Sequence, residues 1–129
     1  MKKYDNFCKA LANLKEGAKL KKPYSVVEQT GIVGLFQICF EQSWKLMKEI
    51  LEEHGRFDAK TGSPREILKI AYQCGMIQSA ESWLELLESR NLLAHIYSDE
   101  QALSVIEKVK ASYVSVFEEL KAELERRWL

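Results

Sequence analysis

Helix breakers are rare in this sequence: two prolines, Pro23 and Pro64, interrupt 129 residues. Long apolar runs are missing as well. The most apolar stretch, Ile32 to Phe40, falls well short of the ~20 residues a membrane span needs and contains Gln37, so no membrane association is expected. Cysteine is scarce and scattered. Cys8, Cys39 and Cys74 show no paired spacing, which argues against a disulfide framework or a zinc site and for a reducing cytoplasm. The opening MKKYDNFCKALANL has no apolar signal core or cleavage site, so secretion is not expected. Net charge is absent too, with 19 basic side chains against 19 acidic ones. That balance argues against a surface that grips long nucleic acid by neutralising many phosphates. No glycine-rich phosphate loop, H-E-x-x-H motif, paired cysteines or aspartate cluster is present, so neither metal nor cofactor is expected.

What is present reads as one packed helical domain spanning residues 1–129. The length suits a single core, and 47% hydrophobic with 29% charged residues is a globular composition. Tyr4, Phe7, Leu11 and Leu14 recur at helical spacing, with Gly17 as a candidate stop. Ser25 followed by Glu28 is a capping-box signature. It opens a long helix whose stripe is Val33, Phe36, Phe40, Trp44, Met47 and Leu51, ending near His54 and Gly55. Gly31 and Gly34 inside that helix cost propensity, and the expectation is that they admit another helix at close range. Residues 55–63 form a loop. Ser63, Pro64 and Glu66 then mark a helix start that runs to Gly75. A further helix begins near Ala80 and passes Trp83, Leu84 and Leu87 toward Leu93. Ser98 with Gln101 suggests one more capping box, before a last helix carrying Leu103, Ile106, Tyr113, Phe117, Leu120, Leu124 and Trp128. No segment alternates as a strand does. The expected fold is all-α, an antiparallel (up-down) helical bundle with two long helices and shorter additional ones.

The zero charge conceals an asymmetry. Residues 1–22 hold seven lysines against Asp5 and Glu16, a local charge of +5. Residues 23–106 hold seven basic and twelve acidic side chains, a local charge of −5, and the remainder balances. The basic end is either an electrostatic footprint for a polyanion or acidic partner, or a solvated helix face.

Two histidines restrict the chemistry. His54 follows Glu52 and Glu53 at a helix C-terminus, where its cation suits the helix dipole, a structural role. His95 lies in SRNLLAHIYSD, which gathers Arg90, Asn91, His95 and Tyr97 within eight residues. On a helix Asn91 and His95 share a face at i and i+4, and Arg90 and Tyr97 share a neighbouring one. A bland alternative pairs Arg90 with Glu85 or Glu88 and packs His95 and Tyr97 against the bundle. The chemical alternative is specific. Imidazole moves protons near neutral pH, and guanidinium holds phosphate through paired donors. Together they suit attack of a ribose 2′-hydroxyl on its neighbouring phosphate, with His95 as general base or acid and Arg90 stabilising the charge. A two-fold dimer would place two copies of each in one cleft, supplying the second proton-transfer group.

At this motif the sequence resembles a HEPN (higher eukaryotes and prokaryotes nucleotide-binding) domain, and more closely the bacterial nucleotidyltransferase substrate-binding proteins. The resemblance runs through FEQSWKLMKEIL, SPREILKIAYQCGMI, WLELLESRNLLAHIY and the long last helix. It implies a homodimeric bundle acting with a cognate minimal nucleotidyltransferase. It implies a metal-independent ribonuclease toxin with Arg90 and His95 catalytic at the dimer cleft, Asn91 in support and RNA as substrate. It implies neutralisation by AMP transfer to Tyr97. The alternative within the same family is a non-catalytic subunit that presents nucleotide or substrate to the transferase. Two positions depart from the pattern. Relatives often carry Thr or Ser just before the histidine, where this chain has Leu93 and Ala94, and the acidic residue after the tyrosine is displaced to Asp99.

Overall fold

In the computed structural model, residues 1–95 and 98–129 are described, with His95 described by its backbone alone. The described residues form helices and turns with no strand, an all-α fold. Helix α1 spans Lys2–Ala18, α2 Val26–Glu53, α3 Pro64–Gln73, α4 Ala80–His95, α5 Asp99–Lys108 and α6 Val114–Glu123. Among these residues, no helix is long and apolar enough to cross a membrane.

Local chemistry sets the helix starts where the sequence places them. Ser25 caps α2 through its hydroxyl, which accepts the Glu28 N–H at 3.0 Å, while the Glu28 carboxylate accepts the Ser25 N–H at 2.9 Å. Ser63 and Glu66 repeat the arrangement at α3, with Pro64 in the first turn. Gly55 and Gly75 follow α2 and α3 with φ of 90° and 77°, a left-handed backbone that glycine adopts without strain. The third box is only half made. The Ser98 hydroxyl accepts the Gln101 N–H at 3.2 Å, but the Gln101 Oε1 is buried with no partner among the described residues.

Cross-links between helices show that they run up and down. Glu41 meets Arg90 and Gln29 meets Asp99, so α2 descends as α4 and the start of α5 ascend. Lys15 pairs with Glu118 and Lys22 with Glu107, which sets α1 antiparallel to the last helical segment. Ser89 meets Tyr113 and Trp83 meets Phe117, which does the same for α4. Aromatic rings bind these helices at the centre. Phe36 of α2 stacks on Tyr113 at 5.4 Å, and Phe117 of α6 lies 5.6 Å from Trp83 of α4 and 6.4 Å from Phe7 of α1. Each such ring removes a large apolar area from water and prefers an offset or edge-on neighbour.

The final helical run carries two wide turns, Val109–Tyr113 and Leu124–Trp128, with right-handed helical dihedrals at their junctions. Val109, Tyr113 and Phe117, each four residues from the next, are all buried. Such a series drifts by about 80° around a helix, within the width of a core-facing stripe, and it stays on the core face through the wide turn.

Two expectations need correction. No helix of the chain itself comes close to Gly31 or Gly34: a Cβ at either would meet nothing within 4 Å. The glycine packed closely within the chain is Gly17, which lies one residue before the end of α1, beside the expected stop; a Cβ there would come within 3.1 Å of Leu35 Cδ1 and 3.5 Å of Ile32 Cγ1. Leu103, placed on the apolar stripe, lies at the surface, and Ala102, Val105 and Ile106 face the core instead.

Candidate functional site

Arg90 reaches the site from α4, an element fixed from both sides. Its neighbour Ser89 is buried and shares a 2.6 Å hydrogen bond with the Tyr113 hydroxyl, which also donates to Glu85 Oε1 at 3.2 Å. Leu86, Leu87 and Leu93 are turned into the core. Leu93 is therefore a packing residue, whereas Ala94 is exposed.

The Arg90 guanidinium sits at the α2–α4 junction with its side chain 28% exposed. Nη1 donates to Asn91 Oδ1 at 2.9 Å, so the structure brings these two sequence-selected residues together. Nη2 donates to both carboxylate oxygens of Glu41, the longer contact being 3.0 Å. The guanidinium carbon lies 5.8 Å from the centre of the Phe40 ring, a cation–π distance. Glu41 in turn accepts the Trp44 indole N–H at 3.2 Å from each oxygen. The alternative that paired Arg90 with Glu85 or Glu88 is replaced by this pairing across 49 residues of sequence. Glu41 was not selected from the sequence. The signal available was a carboxylate directly after the buried Phe40 and one turn before Trp44.

His95 is the last residue of α4, one helical turn after Asn91 along the backbone. Tyr97 lies outside the described residues, so its assignment as a modification site has no geometry here. His54 caps α2; its Nε2 lies 3.3 Å from the Trp128 carbonyl oxygen and its ring meets the Trp128 ring at 4.9 Å, in keeping with a structural role. Among the described residues no three His, Cys, Asp or Glu side chains converge as metal ligands would.

Tyr113 supports the site and titrates unusually. Burial is the main cause, the Glu85 carboxylate adds to it and the Ser89 hydrogen bond opposes it; together they push the phenol up to about 12. Its ordinary value is near 10. A folded value above the unfolded one means the stabilisation is complete below about pH 10 and is lost as pH rises through about 12. Tyr113→Phe is therefore expected to be less stable than wild type at pH 8, by about 1 kcal/mol for the lost hydroxyl bond. It should also lose less stability than wild type between pH 10 and 12. Urea unfolding at pH 8 and at pH 11 checks both.

An up-down helical bundle with an arginine–asparagine pair on an inner helix, five residues before a histidine, defines a class of small α-helical proteins. The chain belongs to the family described as "Nucleotidyltransferase substrate binding protein like", which it matches over residues 2–126. It is 29% identical over 90 residues to a protein of Haemophilus influenzae named "Probable ribonuclease HepT". That match takes in 66% of this chain and 62% of the relative, less than two-thirds of the relative's length. A crystal structure from Thermus thermophilus shares the fold with a TM-score of 0.78 at 28% identity, over 93% of this chain and 99% of that one.

Proposed function

We propose that this chain is the HEPN-type component of a cytoplasmic toxin–antitoxin pair, a metal-independent ribonuclease acting at the cleft of a homodimer. The observation that carries the reading is the Arg90 guanidinium, held by Asn91 and Glu41 on the helix that ends at His95. In the proposed reaction His95 removes the proton from a ribose 2′-hydroxyl, whose oxygen forms a bond to the adjacent phosphorus. The bond from phosphorus to the 5′-oxygen breaks, and that oxygen is protonated by the imidazolium of the second copy. Arg90 stabilises the charge on the phosphoryl oxygens, and Asn91 orients the site.

A second copy is the occupant that the outer face of α2 suits. Val27, Gly31, Gly34 and Ile38 recur at steps of four, three and four. Ile38 is 54% exposed, and a Cβ at either glycine would meet open space. This stripe runs on to Glu41, so a copy seated there would bring two Arg90 sites together.

Neutralisation follows in the same reading. A cognate nucleotidyltransferase passes AMP from ATP to Tyr97: the phenolic oxygen bonds to the α-phosphorus and pyrophosphate leaves. The added phosphodiester would occupy Arg90 and block RNA. The family's description favours one other reading, a non-catalytic subunit presenting nucleotide to the transferase. Incubation of the purified protein with RNA in EDTA separates the two. The ribonuclease reading expects cleavage, and protection after co-expression with the transferase, with an AMP adduct mapping to Tyr97. Intact RNA sinks it and leaves the subunit reading. A solution mass of a monomer sinks the composite cleft.

A further inference from the structure

The Arg90 guanidinium is one half of an ion pair whose other half has been given no task. Glu41 comes from a different helix, and its carboxylate is itself held in place. Both oxygens accept the Trp44 indole N–H at 3.2 Å, and Glu41 is only 28% exposed. Phe40, beside it in sequence, is fully buried and places its ring 5.8 Å from the guanidinium carbon. We propose that Glu41 is a positioning residue of the site. It fixes the Arg90 guanidinium along one edge so that the remaining donors of the fork face the scissile phosphate. The proposal rests on the ribonuclease reading above.

The physical case has two sides. Arginine carries its donors in a rigid plane at the end of a flexible stem, so its usefulness to a transition state depends on aiming that plane. Glu41, Asn91 and the Phe40 face restrain it from three directions. The same carboxylate stands next to an incoming phosphate and repels it, which weakens ground-state binding. Aim and repulsion therefore act on different kinetic constants: Glu41 raises kcat while doing nothing to lower KM. A pair that only tied α2 to α4 would affect the amount of folded protein and leave both constants of the folded fraction unchanged.

The test uses full-length protein and a fluorescent single-stranded RNA oligonucleotide, with kcat and KM normalised to the folded fraction from circular dichroism. For Glu41→Ala, kcat is expected to fall on the order of tenfold to a hundredfold with KM unchanged or lower. Glu41→Gln keeps an acceptor oxygen at nearly the same size and should recover part of kcat, which also covers the case in which the alanine variant does not fold. Trp44→Phe, which frees the carboxylate, should shift the constants in the same direction by less. An unchanged kcat in both Glu41 variants, with Arg90→Ala inactive, overturns the positioning role alone. If wild type leaves the RNA intact, or Arg90→Ala cleaves as well as wild type, the ribonuclease reading falls and this proposal falls with it.

Discussion

Arg90→Ala is expected to lower RNA cleavage by about a hundredfold to a thousandfold, the range found when one charge-stabilising group is removed from an active site. For His95→Ala the expected loss is about a hundredfold to ten-thousandfold, the range for a positioned acid–base group. The arginine variant loses the only group in the described cluster whose charge can meet a pentavalent phosphorus. It also leaves Glu41 with the Trp44 N–H as its remaining described partner. That exposes an unneutralised carboxylate to the substrate. Arg90→Lys separates charge from shape. A lysine ammonium restores the positive charge but lacks the planar fork that reaches Asn91 on one nitrogen and Glu41 on another. It is expected to recover less than a tenth of the lost rate. A lysine variant with full activity would mean that Arg90 contributes a charge near the site and no directed bond. Initial rates on a labelled oligonucleotide, with melting curves recorded alongside, decide between these outcomes.

How far the sequence could be read depended on whether the deciding contact was local. Ser25 with Glu28, and Ser63 with Pro64 and Glu66, are complete within four residues, and the helix starts fall where those residues put them. The pairing of Arg90 with Asn91 is local as well. Gly17 and Gly34 are different. Gly17 reads as a helix stop and Gly34 as a glycine inside a helix, and only the packing of α1 on α2 sets the first against Leu35 and leaves the second facing open space. Glu41 shows the same limit in the candidate site: its place between Phe40 and Trp44 marks a carboxylate beside the core but does not name its partner, an arginine 49 residues away. Leu103 stands three residues before Ile106, a spacing that fits a shared face, and only the packing decides that Ala102, Val105 and Ile106 are buried while Leu103 is exposed.

The charge asymmetry also changes meaning once the helices are placed. Three of the seven lysines in residues 1–22 have acidic partners: Lys15 with Glu118, Lys19 with Glu16 and Lys22 with Glu107. Two of the seven, Lys15 and Lys22, thus tie the N-terminal segment to helices later in the chain. These pairs are largely exposed, so each contributes little to stability and is weakened by salt. The charge that matters to the proposed reaction is at Arg90, within the segment whose local charge is −5. A substrate drawn there would meet a focused cation in an acidic neighbourhood. Its binding should lose less with added salt than that of a protein coating RNA with lysines.

Phe36→Ala is expected to destabilise the folded chain by about 3–5 kcal/mol, the range for removing a large buried ring. Phe36 is fully buried, stacked on Tyr113 at 5.4 Å and 6.4 Å from Phe117, so its removal opens a void where α2 meets the last helical run. Those neighbours are themselves held, Tyr113 by Ser89 and Phe117 by Trp83, and can collapse into the space only by giving up contacts of their own. Against a typical domain stability of about 5–15 kcal/mol, such a loss is a large fraction of the whole. Leu103→Ala is the matched control. Leu103 sits on the same apolar periodicity in the sequence but is 36% exposed, and its truncation should cost within about 0.5 kcal/mol. Urea midpoints measured at a common slope give both values. Equal costs would mean that the last helical run does not turn the face described here toward α2. The expected difference has a consequence for the site as well. Tyr113 anchors Ser89, the residue before Arg90, so the Phe36 variant should lose kcat even in its folded fraction. Leu103→Ala should leave kcat unchanged.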